Sequence, residues 1–259
     1  MIEKAFLHFK GVGTKVREKL EEEGIQDWKH FLQYNKEDKK LQRLAGNLQF
    51  ELQRYLKAKE EKDIAFFVKH IHPKERFLLL AEYFDDLSFF DIETNGQTWG
   101  DCITTIACFH KGKIYNFVSG ENMEEFLQLL EDVKLLVSFN GASFDIPIVL
   151  QYYHIPYLVC PHIDLRWVCH YAGIRGGLKL IEKIFGIKRP ANLEGVDGLD
   201  AIILWHNWIT RKDRSSREKL IRYCSCDAIS LKILCTEILK EYGYTHFSVD
   251  SKSLFKLLE

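Results

Sequence analysis

An apolar segment of strand length, LSFFDI at residues 87–92, contains an aspartate and is followed closely by a glutamate. Side chains at positions i and i+2 of a strand lie on the same face, so Asp91 and Glu93 are expected to project together. Two carboxylates at this spacing repel each other, and burial raises the cost. The pair therefore predicts a strand that ends at a cation-binding site.

The segments after this strand alternate between β-rich and helical patterns. Residues 102–110 and 113–119 predict an antiparallel hairpin around Gly112. The following patterns predict, in order, a helix, a strand, a helix, a strand, a helix and a long terminal helix at residues 215–243. This order predicts an α/β fold with a mixed five-stranded sheet and helices on both faces.

The first 84 residues have a different pattern, which predicts helices only. Gly11 and Gly13 bracket Val12 in a tight turn before a short helix, where backbone N–H groups can bind a phosphate, and Lys15 adds a positive charge. A plain glycine turn between packed helices would give the same pattern. We expect four parts: a small all-α domain at 1–60, a helical linker at 61–84, the sheet domain at 85–244 and a tail at 245–259.

Composition limits the function only weakly. The net charge is −1, but residues 1–80 carry 17 Lys and Arg against 13 Asp and Glu, which permits nucleic-acid binding without requiring it. No stretch approaches the roughly 18 apolar residues of a membrane span, and the N-terminus lacks the apolar core of a signal peptide. We therefore expect a cytoplasmic protein that does not bind membranes.

The cysteines raise the question of a zinc site. The seven cysteines are irregularly spaced, which favours reduced thiols. Cys224 and Cys226 would point to different faces of a helix. A second group, Cys160, His162, Cys169 and His170, has no second closely spaced pair to support it. The spacing therefore favours reduced thiols over a zinc site.

Two further segments supply acids. SFNGASFDIP, residues 138–147, follows a predicted strand, turns at Asn140 and Gly141, and places Asp145 at a helix start. YCSCDAISL, residues 223–231, places Tyr223 and Asp227 four residues apart on one helical face. Four carboxylates suit two hard divalent cations. Such a pair of ions can bind the attacking and the leaving oxygen of an in-line phosphoryl displacement.

The segments DIET, NGxxFD and YxxxD resemble, in this order, the three motifs of the DEDD exonucleases of the ribonuclease H-like superfamily. The last two motifs are most similar to the tyrosine (DEDDy) subgroup and to the proofreading domains of family B polymerases. GLKLIEKIFGIKR with the Trp-containing helical insert after it resembles the YprB-like predicted exonucleases, in which a helix-hairpin-helix module precedes the nuclease. The resemblance covers nearly all of residues 8–240. Cys224 and Asn95 depart from the usual pattern, but neither departure removes an acid.

The resemblance implies a role for each motif residue. Two Mg²⁺ or Mn²⁺ ions would be coordinated by Asp91, Glu93, Asp145 and Asp227, and Tyr223 would orient or deprotonate the attacking water. Nucleic-acid contacts are expected at Gly11, Gly13, Lys15, Thr94, Asn140, Phe144 and Lys179. For Lys179, a plain surface position fits the sequence equally well. His162 and Asp164 are either supports for the ligands or ordinary strand-end residues. Candidates for base stacking are Trp99, Trp167 and Tyr171.

The implied function is a metal-dependent nuclease, with a 3′–5′ exonuclease acting on DNA in DNA repair as the leading interpretation. Two alternatives stay open at this point. One is a nucleic-acid-binding module with a silent nuclease body, and the other is RNA-trimming or endonuclease activity on the same scaffold. The apolar residues of the tail at 245–259 are expected to dock either on the sheet domain or on a protein partner.

Overall fold

A computed structural model describes residues 1–34, 38–97, 100 and 102–259. The contacts within the chain define two compact units, Met1–Phe84 and Asp85–Glu259. Each unit is described by itself below.

The N-terminal unit is helical. Its α-helices in the described residues are α1 (Thr14–Glu22), α2 (Trp28–Leu32), α3 (Lys39–Glu60), α4 (Ile64–His70) and α5 (Phe77–Glu82). Aromatic side chains fill its core, including the fully buried Phe6, Trp28 and Phe67. The Asp38 side chain caps α3 by accepting hydrogen bonds from two backbone N–H groups of its first turn.

The glycine turn of this unit lies just before α1. Gly11 has a φ of +88°, a conformation that glycine adopts without strain, and Gly13 is the residue that precedes the helix. Val12 is buried, whereas Lys15 is exposed. Within the described residues, a short 3-10 helix, Ile2–Lys4, precedes the turn. A helix-hairpin-helix module therefore remains a prediction.

The second unit contains a five-stranded sheet in the order β3-β2-β1-β4-β5. Its strands are β1 (Leu87–Thr94), β2 (Ile103–His110), β3 (Lys113–Val118), β4 (Leu135–Ser138) and β5 (His162–Asp164). β1 is central. It pairs antiparallel with β2 and parallel with β4, while the β2–β3 pair is antiparallel and the β4–β5 pair is parallel. The predicted α/β class and mixed five-stranded sheet are confirmed.

Helices cover both faces of this sheet. The α-helices of this unit in the described residues are α6 (Glu125–Asp132), α7 (Asp145–Tyr152), α8 (Leu165–Tyr171), α9 (Leu178–Ile184), α10 (Gly198–Arg211), α11 (Arg214–Glu241) and α12 (Ser251–Phe255). On one face, Phe90 of β1 packs in a cluster with Phe126 of α6 and Ile148 of α7. On the other face, α11 contacts β1, β2 and β3. In the tail, α12 contacts α11 and Leu258 is buried, so this segment docks on the unit itself.

Small side chains allow α11 to approach the sheet closely. Ala107 of β2 packs against Cys224 and Ala228 of α11, and all three residues are fully buried. Ala107 is the cross-strand partner of Asp91 in β1. The close approach therefore brings the middle of α11 next to the acidic end of β1. Among the described residues, no helix combines the length and apolar character that a membrane span requires.

Candidate active site

Three acids from distant parts of the chain meet on the α11 face of the sheet. Asp91, Glu93 and Asp227 each offer a carboxylate oxygen, and these oxygens lie within 4.8 Å of one another. Asp91 and Glu93 share a face because they are two residues apart on β1, and Asp227 reaches them from α11. We call these three residues the acidic cluster. It is the group of potential metal ligands that the described part of the chain contains, and it includes no cysteine or histidine.

Asp145 lies beside the acidic cluster but is not part of it. It is the first residue of α7 and is only 5% exposed. Its negative charge helps to raise the pKa of both Asp91 and Glu93, so it lies within electrostatic reach of them. Burial raises its own pKa to about 7, although its own backbone N–H and that of Ile92 lower it. The structure therefore brings three of the four predicted ligands together and places the fourth at their border.

The site carries more negative charge than its own cations balance. Burial, followed by the charge of Asp227, raises the pKa of Asp91 and of Glu93 well above their ordinary values. Burial also raises the pKa of Asp227, and a neighbouring arginine offsets this only partly. Carboxylate oxygens are the ligands that hard divalent cations prefer. The donor set and its excess charge therefore fit divalent metal ions.

The arginine in question, Arg189, was not assigned a role from the sequence. It lies in the loop after α9, and its side chain is 7% exposed. Its Nη1 lies 2.5 Å from Oδ1 of Asp227, an ion pair that does not have the geometry of an aligned hydrogen bond. Its Nε and Nη2 donate hydrogen bonds of 2.9 and 2.8 Å to the two carboxylate oxygens of Glu182 on α9. A buried chain of charges thus connects α9 to Asp227.

Tyr223 lies one helical turn before Asp227 and is 3% exposed. Lys179, the second residue of α9, donates a hydrogen bond of 2.9 Å to its hydroxyl oxygen and another to the carbonyl oxygen of Val196. Burial, followed by the charges of Asp227 and Glu93, raises the pKa of Tyr223 above its ordinary value. The hydroxyl therefore keeps its proton at neutral pH. Lys179 is directed at Tyr223, which is different from the plain surface position that the sequence left open.

A tight turn between β4 and α7 sets the position of Asp145. A Cβ atom on Gly141 would lie 2.0 Å from Oγ of Ser138 and 3.4 Å from Oδ2 of Asp145, so only glycine fits without movement of the turn. Asp164 at the end of β5 accepts hydrogen bonds from the backbone N–H groups of Asn140 and Ala142, at 2.8 and 3.1 Å. Asp164 therefore supports the turn that carries a predicted ligand.

Several other side chains support the same region. His162 Nε2 lies 2.8 Å from the Ser138 hydroxyl, beside the turn. The Cys224 thiol donates to the backbone carbonyl oxygen of Asp91 at 3.4 Å and contacts its carboxylate at 3.7 Å. Burial, then the charges of Asp91 and Glu93, raises the pKa of this thiol, which favours its neutral form as a donor. All seven cysteines are free and buried.

The residues predicted to contact nucleic acid differ in their place in the fold and in their exposure. Thr94 is the last residue of β1, after an irregularity in its pairing with β2, and is partly exposed. Phe144 precedes α7 and is 39% exposed, and the side chain of Asn140 accepts a hydrogen bond from Arg166. Trp167 on α8 is 46% exposed. Trp99 lies outside the described residues. None of these positions tests the predicted contacts.

The fold and the site define an α/β protein with an acidic cluster at the end of the central strand of a mixed sheet. In a comparison with protein families, a family model described as RNase_H superfamily matches residues 88–239. The chain belongs to the RNase H superfamily. Its members are typically nucleases that use divalent metal ions, and nucleic acid is their substrate. Neither the curated proteins nor the solved structures contain a significant match to the chain.

Proposed function

We propose that this protein is a two-metal-ion nuclease of the DEDDy type that removes nucleotides from the 3′ end of DNA. One observation carries the proposal above all others. Asp91 and Glu93 are more than 130 residues from Asp227 in the sequence, yet their carboxylates lie within 4.8 Å of one another. Like charges gather in a buried site only when bound cations or protons compensate them, and a set of carboxylate oxygens at this spacing is suited to cations.

The residues that would hold the metal ions are Asp91, Glu93 and Asp227, with Asp145 completing the set from the edge. When bound, Mg²⁺ or Mn²⁺ ions supply positive charge that stabilises the transition state of phosphodiester hydrolysis and lowers the pKa of water. The chain contributes fixed ligand positions. Asp91 and Glu93 are held by the β1–β2 ladder, and Asp227 is held by α11 and by its ion pair with Arg189.

Tyr223 would orient the attacking water. Its hydroxyl oxygen accepts a hydrogen bond from Lys179, and its raised pKa keeps its own proton in place. A neutral phenol that is fixed by a lysine suits a group that positions water rather than one that removes its proton. This favours the orienting role over the role of a base. Lys179 is the residue through which a phosphate of the substrate could also contact this side of the site.

Support for DNA as the substrate comes from the resemblance of the N-terminal segment to a helix-hairpin-helix module, whose minor-groove phosphate contacts suit a duplex next to a single-stranded end. Backbone N–H groups at the start of α1, after the turn at Gly11 and Gly13, and the exposed Lys15 form a group suited to a phosphate. Support for exonuclease activity and for the 3′ end comes from the DIET, NGxxFD and YxxxD motifs. Sequence-independent phosphate contacts of this kind would add to the hold of the nuclease on its substrate.

The test is a cleavage assay with Mn²⁺ on four substrates: a 5′-labelled single strand of DNA, a duplex with a 3′ overhang, a circular single strand and an RNA of the same sequence. The wild type should shorten the linear DNA from its 3′ end. The variants Glu93→Gln and Asp227→Asn should remain folded and lose this activity. Glu131→Gln, which neutralises an exposed acid on α6, is the matched control and should cleave normally.

Other outcomes separate the alternatives. Cleavage of the circle would identify an endonuclease, and shortening of the RNA alone would identify an RNA-trimming enzyme. A protein that retards the substrates in a gel without shortening any of them would be a binding module with a silent nuclease body. Full activity of Asp227→Asn would contradict the proposed site.

A further inference from the structure

Arg189 and Glu182 form a buried ion pair that reaches the acidic cluster from outside it. All three nitrogen atoms of the guanidinium are used: Nε and Nη2 bind Glu182, and Nη1 lies against Asp227. The side chains of Glu182 and Arg189 are 4% and 7% exposed. Burial of such a pair is costly unless its geometry is satisfied, so the arrangement needs a reason beyond stability.

The contacts of Arg189 with Glu182 and Asp227 fix the orientation of the Asp227 carboxylate. A carboxylate on a helix can rotate about its side-chain bonds, and the 2.5 Å ion pair with a guanidinium that is itself fixed at two points restricts this rotation even without an aligned hydrogen bond. Glu182 provides the two fixed points, because it binds Arg189 through both of its oxygens. The orientation of the Asp227 carboxylate therefore depends on a residue on α9 that does not touch it directly.

The net charge of the Arg189–Glu182 pair also affects cation binding at the acidic cluster. A lone guanidinium close to Asp227 would repel divalent cations, because like charges that are partly shielded from water interact strongly. Glu182 neutralises that charge at the point where Arg189 meets Asp227. The ion pair thus orients a potential ligand without adding net positive charge to the acidic cluster.

We propose that Arg189, held by Glu182, is a positioning residue that orients the Asp227 carboxylate for cation binding. This inference rests on the proposed function, in which Asp227 is a metal ligand. Arg189 acts through Asp227 and is not itself a ligand. Residues that orient metal ligands in this way change metal affinity by about 10- to 100-fold when they are replaced.

The experiment measures the binding of Mn²⁺ alone to the full-length protein by electron paramagnetic resonance, without substrate. Arg189→Lys keeps the positive charge but cannot bind three acceptors in one plane. Glu182→Gln keeps Arg189 but removes the charge that neutralises it. Each variant should raise the dissociation constant for Mn²⁺ by about 10-fold. Lys188→Gln, which changes an exposed cation beside Arg189, is the matched control and should change it less than about twofold.

The double variant sharpens the result. Because both residues act through the same contact, Arg189→Lys combined with Glu182→Gln should weaken Mn²⁺ binding by clearly less than the product of the two single effects. Circular dichroism in EDTA verifies that each variant is folded. If Arg189→Lys does not fold, Glu182→Gln alone provides the test.

The failures of the two proposals are distinguishable. Unchanged or tighter Mn²⁺ binding in the folded variants would overturn the positioning role and leave the proposed function intact. If the variants show the expected loss of Mn²⁺ affinity but the wild type cleaves no nucleic acid, the proposed function is overturned and the positioning role is supported. A wild type that binds no Mn²⁺ would overturn both.

Discussion

Replacing Asp145 with asparagine should stabilise the metal-free protein while it removes a carboxylate from the site. Asp145 is 5% exposed, and burial raises its pKa from 3.8 to about 7. The folded protein therefore binds this proton more tightly than the unfolded chain does. Stability consequently falls as the pH rises from about 4 through about 7, because the ionised form is disfavoured only in the folded state.

The size of the effect follows from the same two values. The difference between 3.8 and about 7 corresponds to a ceiling of roughly 4 kcal/mol at pH 8. An asparagine has no charge to desolvate, but its amide must find new partners, so we expect a gain of about 2 kcal/mol. For a chain of this size that gain raises the melting temperature by roughly 4–8 °C.

The assay is thermal unfolding in EDTA at pH 5 and pH 8, for the wild type, Asp145→Asn and the control Glu131→Gln. The Asn variant should be more stable than the wild type at pH 8 and should differ little from it at pH 5. The control should match the wild type at both pH values. Saturating Mn²⁺ should then stabilise the wild type more than the variant. A variant that is less stable at pH 8, or equally shifted at both pH values, would refute the electrostatic reasoning.

Three further predictions concern single side chains. Gly141→Ala should lower stability by about 1–3 kcal/mol in thermal unfolding, because its Cβ would lie 2.0 Å from the Ser138 hydroxyl. Gly198→Ala, where no atom lies within 4 Å of the added Cβ, should have no such effect. Tyr223→Phe should bind Mn²⁺ normally and cleave roughly 100-fold more slowly in single-turnover assays, because the hydroxyl that orients water is lost; normal cleavage would contradict this role. Lys15→Gln should weaken DNA binding and reduce the salt slope of the affinity by about one, and an unchanged slope would exclude a phosphate contact there.

The features that the sequence predicted correctly rest on short-range periodicity. The shared face of Asp91 and Glu93 follows from the period of two in a strand, and the antiparallel hairpin at residues 103–118 follows from two β-rich segments around one glycine. The position of Tyr223 and Asp227 one turn apart follows from the helical period. Each of these predictions depends on neighbours within a few residues.

What the sequence did not reveal depends on the three-dimensional path of loops. Arg189 stands in a loop with no period, so nothing in its neighbours indicates that it reaches Asp227 on α11. The sequence pattern assigned no element to residues 166–171, which form most of the short helix α8, and of the strand expected just before them only His162–Asp164 is β-structure.

The predicted ligand Asp145 illustrates a finer limit. Its motif placed it correctly at the start of a helix, but the distance from that helix to the acidic cluster depends on the turn at Gly141. This turn is stabilised by hydrogen bonds to Asp164, which lies on a separate strand. Such details involve contacts between segments that are far apart in sequence, and no local pattern encodes them.

Anomalous scattering from a crystal soaked in Mn²⁺ would show whether the four carboxylates hold a pair of metal ions. Two Mn²⁺ peaks are expected, with Asp91, Glu93 and Asp227 as ligands and Asp145 in contact with one of the ions. A crystal at saturating Mn²⁺ that shows no anomalous peak among these carboxylates would contradict a metal site at the end of β1.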